Sequence, residues 1–130
     1  MLNEKLKNKI LNISNELKYT NPHRCKHFSF IVKRSTILSF GQNTYDKTHP
    51  IGKKLGYRNG NIHSELAAVV NFEWDRRILG DCDIVNVRLN RHGTIRYSKP
   101  CNCCLKLLEQ LDVNRVYYTN KNGGFDKIKL

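Results

Sequence analysis

The sequence is short of acid. Eleven aspartates and glutamates stand against 23 lysines and arginines in 130 residues, a formal charge of +12. No apolar run approaches membrane-spanning length, which excludes a helical membrane span. The N-terminal residues mix Lys and Asn with leucine and isoleucine and form no charged, apolar, small-residue leader. A soluble, intracellular, cytoplasmic protein is therefore expected. Alanine is almost missing, with only Ala67 and Ala68. A composition so rich in Asn, Lys and Ile can inflate the lysine count by itself, but the nine arginines are not explained that way. The basic balance favours polyanionic partners, either nucleic acid or a phosphorylated small substrate.

The length suits a single domain, 1–130, able to bury a hydrophobic core without disulfides. The five cysteines are an odd number, and three of them crowd into Cys101–Cys104. That suits thiolate ligation in a reducing compartment better than a disulfide framework.

Hydrophobic periodicity divides the chain into alternating helices and strands. Leu6, Ile10, Ile13 and Leu17 fall on one helical face between Asn3 and Lys18, predicting an amphipathic, core-covering helix. His27–Lys33 alternates Phe28, Phe30 and Val32 against His27, Ser29 and Lys33, and Ile37–Phe40 follows a tight turn, predicting two strands. The crowded His23–His27 stretch lacks two separated ligand pairs and reads as a solvated strand entry. The 44–61 segment has no clear periodicity and reads either as a functional loop or as a flexible solvated one. Its Lys53, Lys54, Tyr57 and Arg58 could grip phosphate and stack on a base. Ile62–Asp75 predicts a second helix with Leu66, Val69, Val70 and Trp74 on its buried stripe. Asp83–Asn90 predicts a third strand, with Val85, Val87 and Leu89 opposed to Ile84, Asn86 and Arg88, and Thr94–Tyr97 continues extended. Pro100 suits the first position of a third helix, carried to Asp112 by Leu105, Leu108 and Leu111. Val113–Thr119 and Phe125–Leu130 are strands joined by five turn residues, enough for an antiparallel hairpin and too few for a parallel crossover.

Two short motifs carry chemistry. His63-Ser64-Glu65 opens the second helix, and Pro100-Cys101-Asn102-Cys103-Cys104 opens the third. One histidine and two cysteines can give Zn²⁺ three nitrogen and sulfur ligands and leave a fourth position for water, as catalytic zinc sites do. His63 and Glu65 can converge at a helix start even though residues two apart diverge along a continuing helix. Cys101 and Cys104 share a face three residues apart, and a helix N-terminus favours their thiolates. Cys103 is turned away by about 100° and, like Cys82, reads as a small buried or spare thiol.

H-x-E followed by P-C-x-x-C is the known signature of zinc-dependent nucleobase deaminases, and the chain resembles the cytidine deaminase superfamily in motif and in element order over nearly its whole length. The resemblance implies a three-layer α/β/α fold, a five-stranded mixed sheet with helices on both faces and strands 4 and 5 antiparallel. It implies a Zn²⁺ cofactor held by His63, Cys101 and Cys104, with Glu65 as the catalytic proton carrier. It further implies that Asn43 contacts the substrate sugar and that backbone groups near Ser64 and Lys99 read the base edge. The expected reaction is hydrolysis of cytosine to uracil in a nucleoside, nucleotide or single-stranded DNA or RNA. The C-terminal hairpin is that of free-cytidine and several toxin deaminases, whereas a histidine ligand is usual in nucleotide and polynucleotide enzymes. Adenosine-type deamination is one alternative, and a non-catalytic, zinc-stabilised nucleic-acid-binding module is another.

Overall fold

Asn3 accepts a hydrogen bond from the backbone N–H of Leu6 at 2.8 Å and so caps helix α1, Glu4–Leu17, satisfying one of the first-turn donors that the helix leaves unpaired. Leu6 and Ile10 of this helix are fully buried against a sheet, as the periodicity predicts. The structure, a computed structural model, describes Leu2–Thr44, Pro50, Lys54 and Ile62–Leu130. Tyr57 and Arg58, with most of the 44–61 loop, lie outside the described residues.

The sheet contains β1 (Lys26–Lys33), β2 (Thr36–Gln42), β3 (Asp83–Leu89), β4 (Ile95–Arg96), β5 (Arg115–Thr119) and β6 (Phe125–Lys129). Its order is β2-β1-β3-β5-β6. Among the described residues, only the β3–β5 pair is parallel; β1–β2, β1–β3, β3–β4 and the β5–β6 hairpin are antiparallel. The sheet has six strands among the described residues where five were expected. The extra one, β4, is two residues long and pairs with Arg88 and Leu89 beyond the point where β5 leaves β3.

Alternate residues of the central strands feed two separate cores. Phe28, Phe30, Val32, Val85, Val87, Leu89 and Tyr117 pack against α1. Ile31, Ile84, Val116 and Tyr118 pack against α2 (Ser64–Val70) and α3 (Asn102–Gln110). Helices therefore cover both faces, the three-layer arrangement that the resemblance implies. Among the described residues, no helix is long and apolar enough to cross a membrane.

The second helix is shorter than predicted. It ends at Val70, with Asn71 as C-cap, and a 3₁₀ turn over Arg76–Asp81 follows. Val70 and Trp74 are exposed at 42% and 50%, and Phe72 is buried in their place. Val70 is the last helical residue, and Trp74 lies beyond the Asn71 cap, where the chain has left helical geometry and the 3.6-residue spacing no longer points a side chain inward. Asn71 Nδ2 donates to the Phe40 carbonyl at 3.0 Å, tying the helix end to β2.

Helix α2 lies unusually close to β2. A Cβ on Gly41 would fall 2.3 Å from the Ala68 nitrogen and 2.6 Å from the Ala67 Cβ. Glycine on the strand and the chain's two alanines on the helix permit this approach, and Ser39 Oγ donates to the Ala68 carbonyl at 2.8 Å across it. The helix N-terminus, with its H-x-E motif, is thereby fixed above the sheet.

Candidate metal and catalytic centre

His63 and Cys101 are both N-cap residues, with extended backbones (ψ 154° and 169°). A capping side chain normally turns back to bond its own helix; these two do not, and face each other instead. Cys101 Sγ lies 3.4 Å and Cys104 Sγ 3.5 Å from His63 Nδ1. The three ligand atoms lie within 4.8 Å of one another. Pro100 is not the first helical residue, as the sequence suggested, but precedes the cap, because Cys101 is still extended. Cys101 and Cys104 consequently meet as N-cap and N3 side chains, the positions that converge in a capping box, and not as two residues of one helical face.

The electrostatics favour the ligating form of Cys101 and, without a metal, the protonated form of His63. The neighbouring Cys104 thiol, with help from His63, holds the Cys101 thiol down to about 4, so its sulfur is a thiolate at neutral pH. His63 is raised above its ordinary 6.5 by its hydrogen bond to Cys101 and by the nearby charges of Cys101 and Glu65. Cys103 is half-buried against the core and Cys82 is fully buried with its thiol donating to the Ile78 carbonyl, as expected of thiols outside the cluster.

A cavity opens beside this cluster, lined by His27, Asn43, His63, Ser64, Glu65, Ser98, Lys99 and Cys101. The sequence-derived candidates Asn43, His63, Ser64, Glu65, Lys99 and Cys101 are therefore brought together. Glu65, in the first turn of α2, is only 6% exposed. Its Oε1 accepts from Ser64 Oγ at 3.1 Å and its Oε2 from Asn86 Nδ2 at 3.0 Å. Asn43 is largely committed to the scaffold: its Oδ1 accepts from Asn21 Nδ2 and the His27 N–H, and its Nδ2 donates to the Cys25 carbonyl. One of its two amide hydrogens remains for a ligand.

Three residues facing this centre were placed elsewhere by sequence reasoning. His27, read as part of a solvated strand entry, lines the cavity; burial, reinforced by the Arg88 charge, lowers it to about 4 and keeps its imidazole neutral. Ser29 and Asn86, read only as members of the strands' second face, are buried at 0% and 3% exposure beneath α2. The available signal was a single polar residue inside each of the apolar runs Phe28–Val32 and Ile84–Val87. A polar group covered on both faces needs a partner.

The described fold matches solved structures along most of its length. The dCMP deaminase of cyanophage S-TIM5, solved with dCMP and dUMP, aligns over 92% of this chain and 85% of its own, with a TM-score of 0.63 and 21% identity. This is the cytidine deaminase fold. The cytidine deaminase of Burkholderia pseudomallei aligns over 94% of this chain and 91% of its own, with a TM-score of 0.61 and 14% identity. RibD of Acinetobacter baumannii shares the fold over 89% of this chain and 28% of its own, with a TM-score of 0.52 and 16% identity. No protein-family model matches the sequence, and no curated protein does. Within this cytidine deaminase fold, the His63–Cys101–Cys104 cluster sits where two helix N-termini converge at the ends of the central strands. Such a crevice outside the strand ends is the usual ligand site of an open α/β sheet.

Proposed function

We propose that the protein is a zinc-dependent hydrolytic deaminase that converts cytosine to uracil in a nucleoside, nucleotide or single-stranded nucleic acid. The observation that carries this reading is the convergence of His63, Cys101 and Cys104 within 4.8 Å at a cavity into which Glu65 also faces.

The donor set fits zinc. One imidazole nitrogen and two sulfurs, one already a thiolate, suit a borderline-soft cation and not magnesium or calcium. Zn²⁺ held by His63, Cys101 and Cys104 would act as a Lewis acid that brings the pKa of a water to about 7. Glu65 is the group that moves protons. It takes one from the attacking water, returns one to the ring nitrogen and helps deliver another to departing ammonia, so that water and cytosine become uracil and ammonia. Burial of Glu65 keeps bulk water from competing for these transfers. Asn43 offers its remaining amide hydrogen to the sugar, and backbone groups near Ser64 and Lys99 meet the base edge. His27, neutral and against the cavity, provides a wall for the base without adding charge.

The fold shared with an enzyme solved with dCMP and dUMP supports a nucleotide as substrate, and the formal charge of +12 supports an anionic one. The C-terminal hairpin favours cytosine over adenine, in keeping with the free-cytidine and toxin enzymes that the sequence resembles. The test is product formation by zinc-loaded protein on cytidine, deoxycytidine, dCMP, adenosine and cytosine-containing single-stranded DNA and RNA. Uracil from a monomer identifies a salvage-type enzyme, and uracil only in strands identifies an editing enzyme. Inosine alone would replace cytosine by adenine, and no product with one bound zinc would refute the catalytic reading.

A further inference from the structure

Glu65 is held by a buried polar chain that reaches from the helix carrying it to the segment carrying the cysteines. Asn86, at the centre of β3, is the junction. One hydrogen of its side-chain NH₂ goes to the Ser98 carbonyl at 3.2 Å and the other to Glu65 Oε2 at 3.0 Å. A carbonyl can only accept, so Ser98 fixes which end of the amide is nitrogen. Asn86 Oδ1 must then face Ser29, whose hydroxyl donates to it at 2.6 Å.

Counting hydrogens singles out Asn86. The one hydroxyl hydrogen of Ser29 is committed to Asn86 Oδ1, which has none to give. Ser64 must therefore be the donor across its 2.7 Å contact with Ser29 Oγ, and the same hydrogen serves Glu65 Oε1 at 3.1 Å. Ser64 divides one hydrogen between two acceptors, whereas Asn86 gives a whole N–H to the carboxylate. Ser98 is itself pinned, accepting from the Thr119 N–H at 2.8 Å and donating to the Asn86 carbonyl at 3.0 Å. It stands only three residues before Cys101.

We propose that Asn86 is a positioning residue for the deamination, an amide clamp that fixes the Glu65 carboxylate relative to the cysteine-bearing segment, with Ser29 locking the orientation of the amide. The proposal rests on the reading of Glu65 as proton carrier. A glutamate side chain has three freely turning bonds. A carboxylate held by a directed donor on each oxygen keeps its free lone pairs aimed into the cavity, and proton transfer depends steeply on such alignment. The partner must be a donor and must be neutral. A carboxylate at position 86 would repel Glu65, and an apolar residue would leave Oε2 buried without its bond.

The test compares zinc-loaded wild type with Asn86→Ala, Asn86→Asp and Ser29→Ala on dCMP, cytidine and a cytosine-containing single-stranded oligonucleotide. A second readout, independent of turnover, is the side-chain amide resonance of Asn86 in ¹H–¹⁵N spectra, followed in wild type and in Glu65→Gln. Asn86→Ala should lower kcat by about 10- to 100-fold, the usual effect of removing a group that orients a metal-site residue. KM should stay within about threefold and zinc at one equivalent, because the clamp acts on alignment and not on ground-state binding. Asn86→Asp, though isosteric, should be at least as impaired. Ser29→Ala, which keeps the amide and removes only its lock, should fall less and serves if the Asn86 variants fold poorly. The Asn86 amide should exchange slowly with solvent and shift in Glu65→Gln.

An active wild type whose Asn86→Ala and Asn86→Asp variants retain kcat within about twofold, well short of the expected loss, would overturn the clamp while leaving the deaminase reading intact. A wild type inactive on all three substrates, with the amide response present, would overturn the deaminase reading and with it the catalytic use of the clamp. An active wild type whose Asn86 amide is insensitive to Glu65→Gln would show that the bond is not made in solution.

Discussion

Gly41→Ala adds one methyl group, far from any reacting atom, and should damage both stability and the site. The new Cβ would lie 2.3 Å from the Ala68 nitrogen, 2.6 Å from the Ala67 carbonyl carbon and 2.6 Å from the Ala67 Cβ. Two of these neighbours are backbone, so no rotamer change relieves the clash and the whole helix must move by about an ångström to reach ordinary contact. Overpacking of a well-filled core costs about 1–3 kcal/mol. With a rigid helix as the obstacle the upper end applies, about 3 kcal/mol, which for a chain of this size lowers the melting temperature by roughly 10 °C. Urea unfolding of the metal-free protein measures it. Gly80→Ala is the control. There the nearest heavy atom to a new Cβ is the Asp112 carbonyl oxygen at 3.6 Å, and a neutral effect or a gain of about 0.5 kcal/mol is expected. A displaced α2 carries His63 and Glu65 with it, so zinc affinity should fall in Gly41→Ala and not in Gly80→Ala. A Gly41→Ala protein within about 0.5 kcal/mol of wild type, the ordinary spread of harmless substitutions, would refute the claimed approach of helix and strand.

The remaining predictions concern ligands and protons. Cys101→Ser and Cys104→Ser should each reduce bound zinc from one equivalent to below about a tenth, whereas Cys103→Ser should retain it, measured by metal analysis after gel filtration. Zinc affinity should weaken as pH falls, because His63, raised above 6.5, must lose a proton to bind; Cys101, ionised above about 4, adds little to that dependence at neutral pH. Chelator competition across pH 5–8 would show the slope. His27 contributes stability that acid removes, in the same sense as a carboxylate held below its usual pKa. Its unfolded imidazole takes a proton near 6.5 and its folded one only near 4, so native stability is full above 6.5 and is lost as pH drops from 6.5 to 4, by about 3 kcal/mol. His27→Gln should remove that part of the loss, visible as a flatter dependence of urea midpoints on pH than wild type shows.

The convergence of His63, Cys101 and Cys104, with Glu65 lining the cavity beside them, was legible because the proposed chemistry demands particular residue types at particular spacings. H-x-E and P-C-x-x-C fix which atoms converge even where the helix boundaries are misjudged. The error at Pro100 did no harm for that reason: moving Cys101 from helix to cap changes how it meets Cys104, not whether it does. The end of α2 was illegible because Trp74 continues the apolar spacing of Leu66 and Val70 past Asn71, with no glycine or proline to mark the stop. The short β4 has only two paired residues and carries almost no periodic signal.

Ser29 and Asn86 were hidden for a different reason. Alternation along a strand distinguishes two faces but cannot say whether the second face meets water or a second layer of helices. Asn86 among Ile84, Val85 and Val87 looks like an exposed position in a half-buried strand, and it is the junction of the polar network under Glu65. His27 was misplaced by the same ambiguity. The sheet's second layer, readable from the two helix-opening motifs, was the clue that these polar residues had to be buried.

Ammonia release by zinc-loaded protein supplied with dCMP, compared with a Glu65→Gln variant shown to hold the same one equivalent of zinc, is the decisive measurement for hydrolytic deamination at this site. Hydrolytic deamination predicts one ammonia per uracil formed by the wild type. It predicts a loss of at least about a hundredfold in the variant, the scale on which a positioned acid–base group contributes. Equal turnover by the two proteins, or none by either on any cytosine substrate, would contradict it.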